Sequence, residues 1–232
     1  MLDAHIVKAR RHFTVDVRVH LQAGEKLGLF GVSGAGKSTV LSCLAGIETP
    51  DDGEIKFGDL RFFPPSMPLH RRPLGYLTQN NWLFPHLSVG ENVCFGLQKQ
   101  EREASKKWIE EMAERLDLNP LWRESARRIS GGQARRVALA RMLARRPKLV
   151  LLDEPFTALD RPAMNELIAA LLEWHAVLGF TLVAVDHRAD ILEKLCPSAA
   201  VIESGRIVQE GNWSALEAAP ATLLLAKLLD RK

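Results

Sequence analysis

Cysteine is scarce in this sequence: Cys43, Cys94 and Cys196 are the three present. They are odd in number and far apart, which gives no disulfide framework and no zinc spacing. A reducing, cytosolic compartment fits that usage. Long apolar runs are missing too. The longest uncharged candidate lies between Glu173 and Asp186, twelve residues that include His175 and Gly179. A bilayer span needs roughly 18 or more, so no membrane crossing is expected. Met1-Leu2-Asp3-Ala4-His5 carries no basic stretch ahead of an apolar one, so no signal peptide is expected. Nor does one sign of charge dominate. Lys plus Arg is 31 against 28 Asp plus Glu, a net +3, too little to argue by itself for a nucleic-acid partner. Internal repeats and low-complexity tracts are absent. What remains is an ordinary composition, 47% hydrophobic and 25% charged over 232 residues. It excludes a disordered chain, a collagen-like repeat and a pure coiled coil. The length suits one to two domains at about 150 residues each.

The patterning is that of alternating strands and helices. Phe13 to Val19 alternates apolar and polar, as a half-buried strand does. Ala23-Gly24-Glu25 is a turn, and Leu27 to Phe30 a buried strand. A glycine-rich loop, Gly31 to Gly36, leads into a helix over Ser38 to Ala45. Pro50 and Gly53 suggest a hairpin within Thr49 to Gly58, and Phe62 to Pro73, with four prolines, an irregular surface loop. Trp108, Ile109, Met112 and Leu116 recur at helical spacing within Glu101 to Leu118. Further helices are expected over Gly132 to Ala144, Asn165 to Leu178 and Ser214 to Leu229, with strands at Leu149 to Leu152 and Phe180 to Val185. The alternation predicts an α/β fold with a mainly parallel core. Residues 88–147 lack strand signals and read as a helical subdomain of a single 1–232 unit.

Gly31-Val32-Ser33-Gly34-Ala35-Gly36-Lys37-Ser38-Thr39 fits G-x-x-x-x-G-K-[ST] between a strand and a helix. Glycines let successive N–H groups turn toward one anion, and the helix N-terminus adds a positive dipole end. Lys37 supplies a mobile charge for β- and γ-phosphates, Ser38 a hydroxyl for Mg²⁺, and Thr39 a hydrogen bond to an α-phosphate oxygen. The strand at Leu149 to Leu152 ends in Asp153-Glu154. Beside the loop, Asp153 would hold Mg²⁺ and Glu154 would polarise an attacking water. Two adjacent carboxylates are tolerable there because a metal offsets their repulsion.

Ile129-Ser130-Gly131-Gly132-Gln133 opens another helix, with Ser130 as a natural N-cap and two glycines that admit an anion. This second anion site lies on the helical subdomain, away from the first. A second copy can supply it, which implies a head-to-tail dimer with two ATP molecules between the loops and the serine-capped helices.

Taken in order, these motifs resemble the ATP-binding subunits of ABC transporters over roughly residues 5–215. The resemblance makes Gly31 to Thr39 the Walker A motif of a P-loop NTPase core, and Ser130 to Gln133 the signature. It makes Asp153 and Glu154 Walker B and the catalytic glutamate. It further implies that Gln79, in Tyr76-Leu77-Thr78-Gln79, touches Mg²⁺ and the attacking water. Ala158-Leu159-Asp160 would be the D-loop at the dimer seam, and His187 would contact the γ-phosphate. It implies an antiparallel β subdomain beside the parallel core. Several positions depart from the family pattern: Ile129 stands for the usual Leu, Arg135 for a commoner Gln that would alter contacts to the other nucleotide, and Asp186 precedes His187. No Tyr lies near the first strands to stack on adenine. Phe13 and His12 are the candidates, with a place in the core as the alternative for Phe13.

Lys37 and Ser130 are 93 positions apart without sustained heptads, which excludes the coiled-coil insertion of chromosome-maintenance relatives. An ATPase (ATP plus water to ADP plus phosphate) driving transport is expected, cytoplasmic and peripheral on the inner face of the membrane. Its partners would be integral membrane permease subunits and a periplasmic or extracellular solute-binding protein. Asn81 to Leu87 is apolar for a loop and suits a groove for a permease helix, with packing of Trp82 and Phe84 under the helical subdomain as the alternative. The motif text looks most like molybdate-importer subunits, with thiamine and ferric-iron importers or an exporter as alternatives, and no C-terminal regulatory domain is expected. Arg123, Arg127, Arg128, Arg135, Arg136, Arg141, Arg145 and Arg146 are the best support for the alternative of a non-transport ABC ATPase acting on DNA, but could instead form a solvated face or approach a nucleotide across the dimer. No nucleic-acid partner is expected.

Overall fold

The computed structural model describes residues 1–157 and 159–229; Ala158 of the expected D-loop lies outside them. The chain opens with β1 (Leu2–Ala9) paired antiparallel to β2 (Thr14–Leu21) from Leu2↔Leu21 to Ala9↔Thr14. Strict alternation in β2 sends Val15, Val17, Val19 and Leu21 into the core and leaves Thr14, Asp16, Arg18 and His20 exposed. Next come β3 (Lys26–Phe30), α1 (Lys37–Ala45), β4 (Asp52–Phe57) and β5 (Leu60–Phe63). The order β2-β1-β4-β5 makes a four-stranded antiparallel sheet.

After β6 (Leu74–Leu77) the chain is helical through α2 (Val89–Cys94), α3 (Lys99–Ala104), α4 (Lys106–Arg115) and α5 (Gly131–Leu143). It then alternates: β7 (Leu149–Asp153), α6 (Arg161–Leu178), β8 (Thr181–Val185), α7 (Ala189–Leu195) and β9 (Ser198–Glu203). It finishes with β10 (Arg206–Asn212), α8 (Trp213–Ala218) and α9 (Leu223–Leu229). The second sheet has the order β10-β9-β3-β8-β7-β6, parallel from β9 to β6 and antiparallel at β10. β7 and β8 are buried at every position, which is why they read as continuous apolar runs. One face of this sheet packs on α1 and the antiparallel sheet, through Leu29, Leu151, Val183 and Ile202. The other packs on the helices, through Val150, Leu152, Leu182 and Ala184. The loops that leave the carboxyl ends of β3, β8, β7 and β6 therefore emerge side by side, where an open α/β sheet forms its crevice.

Several sequence expectations need correction. No hairpin lies within Thr49 to Gly58; the turn is at Gly58, between β4 and β5. Gly53 sits inside β4 with φ +104°, where a Cβ would stand 2.1 Å from the His5 carbonyl oxygen of the neighbouring strand. Close approach, not a turn, calls for that glycine. The helix expected over Glu101 to Leu118 breaks at Ser105, because α3 and α4 start separately. Gln98 and Glu101 cap α3 reciprocally, whereas α4 buries Trp108, Ile109 and Met112. The tail helix is likewise two helices. Pro220 drives Ala219 out of helical geometry. Phe62 to Pro73 is not merely a surface loop. Its Arg72 is buried and donates to the carbonyls of Cys43 (3.1 Å) and Leu44 (2.7 Å) at the end of α1.

Candidate functional site

The loop after β3 turns on three glycines with positive φ, Gly31, Gly34 and Gly36. At Gly31 (φ +146°) a Cβ would meet the Ile202 carbonyl oxygen at 2.3 Å, so the β3–β9 contact fixes the residue. Lys37 opens α1 and is 5% exposed. Its Nζ donates to the carbonyls of Gly31 and Val32, each at 2.8 Å, so the ammonium is held inside its own loop. Burial pushes its pKa down, opposed by Glu154, Asp153 and Asp186. The next residue, Ser38, donates its hydroxyl to Asp153 Oδ1 at 3.1 Å, and the Tyr76 hydroxyl donates to Asp153 Oδ2 at 3.3 Å. Burial pushes the Asp153 carboxyl up. That is the expected response of an acid in a low-dielectric pocket.

Glu154 follows β7 with φ +45°, an uncommon backbone for a side-chain-bearing residue. That turn aims its carboxylate across the strand ends. Gln79 Nε2 donates to Glu154 Oε2 at 3.4 Å, and His187 Nδ1 lies 3.6 Å from Glu154 Oε1. Asp186 is buried; it accepts from the Arg188 N–H at 2.9 Å and lies 3.6 Å from His187 Nδ1. Burial pushes its carboxyl up as well. Ser38, Asp153, Glu154, Gln79 and His187, drawn from four strand ends, thus stand together.

A cleft of about 450 Å³ adjoins them, lined by Ser33, Gly34, Gly36, Lys37, Ser38 and Thr39 on one side and Arg10 to Phe13 on the other. Phe13 is half-buried: it packs on the core and also lines the cleft. Arg10 escaped the sequence reading, since no motif contains it. Its Nε and Nη2 donate to Thr39 Oγ1 at 3.0 and 2.8 Å, and Nη2 donates to Glu48 Oε2 at 2.6 Å. A hydroxyl oxygen that accepts these bonds has its own proton free to donate outward. The cradle fits a triphosphate: it has room, a lysine and a turn of backbone N–H groups. Ser38 and Asp153 offer a divalent cation oxygen donors only, which suits Mg²⁺. No self-sufficient cluster of three metal-ligating side chains exists among the described residues, so phosphate oxygens would have to complete such a site.

Ser130 to Gln133 are not brought to this cleft. Ser130 caps α5, its Oγ accepting from the Gln133 N–H at 3.2 Å while Gln133 Oε1 accepts from the Ser130 N–H at 2.8 Å. Ser130 and Gly131 are exposed, and Asp160 caps α6 by accepting from the Ala163 N–H at 2.8 Å. The arginines of this region form no single face. Arg136 pairs with Asp117 and Glu166, Arg146 lies over the Trp108 ring, and Arg135 points inward and is buried. Trp82 is 70% exposed rather than packed under the helices, and Phe84 stacks against Phe95 at 4.0 Å between centroids.

A family model described as ABC transporter matches residues 14–157. The chain is 38% identical over 218 residues to a probable sulfate/thiosulfate import ATP-binding protein of Chlorella vulgaris, covering 93% of this chain and 92% of that one. It is 37% identical to the molybdenum import ATP-binding protein ModC of Rhodopseudomonas palustris, covering 90% of this chain and 57% of that one. It is 40% identical to the Fe(3+) ions import ATP-binding protein FbpC of Pseudomonas fluorescens, covering 84% and 56%. The chain thus spans little more than half the length of two of these relatives. Among solved structures, the ATP-binding cassette MJ1267 in its ADP conformation superposes with TM-score 0.80 at 23% identity, over 100% of this chain and 99% of that one. A dimeric post-hydrolysis state of the cassette MJ0796, bound to ADP and Pi, gives 0.76 at 24%, over 91% and 98%. At these identities the likeness shows a shared fold.

Proposed function

Since the chain belongs to the ABC transporter family of ATP-binding cassettes, whose members are ATPases, we propose that it is the Mg²⁺-dependent ATP-hydrolysing subunit of a solute importer. The observation that carries this reading is the convergence of Lys37, the Ser38–Asp153 bond and the Glu154 carboxylate on one cleft. Lys37 and the loop N–H groups would hold the β- and γ-phosphates, with Thr39 donating to the α-phosphate. Ser38, Asp153 and Gln79 would hold Mg²⁺, which supplies charge neutralisation at the phosphates when bound. Glu154 would accept a proton from the attacking water. His187 would hold the γ-phosphate end, and Phe13 would stack on the adenine.

Ser130 with Gly131, Gly132 and Gln133 would close the site of a second copy, arranged head to tail, with Asp160 near the seam. That Ser130 stands apart from its own chain's cleft supports the arrangement. A groove of about 520 Å³ beside Trp82, Phe84, Phe95 and Arg141 would take the permease. No helix among the described residues is long and apolar enough to cross a membrane, and docking there would keep the chain at the inner face. A solute-binding protein outside the membrane would deliver the cargo. Molybdate is the proposed cargo, supported by the likeness of residues 30–37, 70–76 and 83–89 to molybdate-importer text.

The test is ATP hydrolysis by the purified chain with and without Mg²⁺. It is followed by uptake into vesicles that carry the permease, with molybdate, sulfate and ferric iron offered in competition. Failure to hydrolyse ATP would overturn the activity, and preference for another solute the cargo.

A further inference from the structure

We propose that Arg135 is a positioning residue for Glu154, tying the catalytic carboxylate and the Gln79 loop to the orientation of the signature helix. The inference rests on the ATPase reading above. Arg135 lies one turn into α5 and is 4% exposed. No carboxylate pairs with it among the described residues. Instead its guanidinium bonds to the backbone of both loops. Nη1 donates to the Thr78 carbonyl at 2.6 Å and to Asn81 Oδ1 at 3.1 Å. Nη2 donates to the Glu154 carbonyl at 3.3 Å, and Nε donates to the Pro155 carbonyl. One rigid planar fork therefore fixes the residue before Gln79 and two successive peptides, Glu154–Pro155 and Pro155–Phe156.

Two costs show that this arrangement is not incidental packing. A buried cation without an anionic partner is expensive, and burial pulls the Arg135 pKa down to about 10. Glu154 in turn is held at φ +45°, a conformation that persists only where the surroundings over-determine it. Arg135 supplies that restraint on the carbonyl side, and the Val185 carbonyl supplies it on the amide side, accepting from the Glu154 N–H at 2.9 Å. Farther along α5, Arg141 donates to the carbonyls of Asn81 and Trp82, each at 2.8 Å. The same helix thus grips the Gln79 loop at its outer end, beside the groove, and the catalytic loop at its inner end. A shift of α5 against the sheet cannot leave Glu154 where it was.

The test uses Arg135→Lys, which keeps the buried charge but loses the fork, with Arg135→Gln as a second variant should the lysine fail to fold. Steady-state hydrolysis, binding of a fluorescent ATP analogue and thermal melting are measured on each. We expect kcat to fall on the order of 100-fold, the cost of a displaced catalytic group. Analogue affinity should stay within about 3-fold of the parent, since ground-state binding is untouched. In the Glu154→Gln background the arginine change should cost no further activity. A variant with parental kcat, a parallel loss of affinity and kcat, or losses that multiply in the double variant would overturn the proposal. An unmodified chain that is inactive, or insensitive to Glu154→Gln, would instead overturn the ATPase reading.

Discussion

His187 Nδ1 stands 3.6 Å from Glu154 Oε1, while the Gln79 amide reaches the other oxygen of the same carboxylate. Three side chains from loops far apart in sequence therefore converge at one carboxylate. In the proposed mechanism Glu154 would carry the proton transfer and its neighbours would set its direction, so the three would not be equivalent. Glu154→Gln should lower kcat by roughly 10²–10⁴, the range for a lost general base, with ATP still bound. His187→Ala should reduce turnover with the Glu154 carboxylate still present but less firmly aimed. Phosphate-release kinetics with equilibrium binding of ATP check both.

Gly31→Ala should be among the most damaging small substitutions in the chain. Its new Cβ would meet the Ile202 backbone oxygen at 2.3 Å, at a residue with φ +146°. Neither obstacle is a flexible side chain. A loss of about 3 kcal/mol or more in urea unfolding is expected, together with weakened nucleotide binding as β3 and β9 separate.

Trp82 presents its ring outward, 70% exposed, while Arg141 holds its carbonyl. Aromatic anchors of this kind dominate interface energetics, and Trp82→Ala should weaken permease binding by about 2 kcal/mol or more. Co-purification with the permease in detergent and titration of the isolated partners measure it.

The fold should lose stability on mild acidification, in part through His175. Burial lowers the pKa of this ring from 6.5, against the opposing bond from its Nε2 to the Gly24 carbonyl at 2.9 Å. The folded state thus binds the proton less readily than the unfolded chain. Its contribution is complete above the ordinary histidine value and is lost as pH falls through the lowered one. His175→Gln keeps a donor for Gly24 and cannot charge, so its melting temperature should fall less than the parent's between about pH 7 and pH 5.

The strands were legible because they obey simple patterns: β2 alternates, β7 is apolar from Leu149 to Leu152, and β8 is apolar from Leu182 to Val185. The phosphate loop was legible because its glycines and lysine stand at fixed spacing. Arg10 and Arg135 were not, since their importance comes from what lies across space. Arg10 meets Thr39 across 29 residues, and Arg135 meets Thr78 across 57. Arg135 was expected to alter contacts to a second nucleotide or to form part of a solvated face, but α5 turns it toward the sheet, where carbonyls left free by two loops need donors. Gly53 misled for a related reason. A glycine admitted for close strand approach carries the same letter as one admitted for a turn. Ser105, which divides a sequence of helical period into α3 and α4, follows from capping at Gln98 and from the apolar face of α4, neither of which a period count weighs.

The mass of the hydrolysis-blocked Glu154→Gln chain, followed by sedimentation with and without Mg²⁺ and ATP, tests most directly whether the site is completed by a second copy. A shift from one chain to two on adding nucleotide is expected, and Ser130→Arg should abolish it. A chain that stays single at saturating nucleotide, or a pair that forms equally well with arginine at that position, would contradict the sharing of one copy's serine-capped helix with the other's phosphate loop.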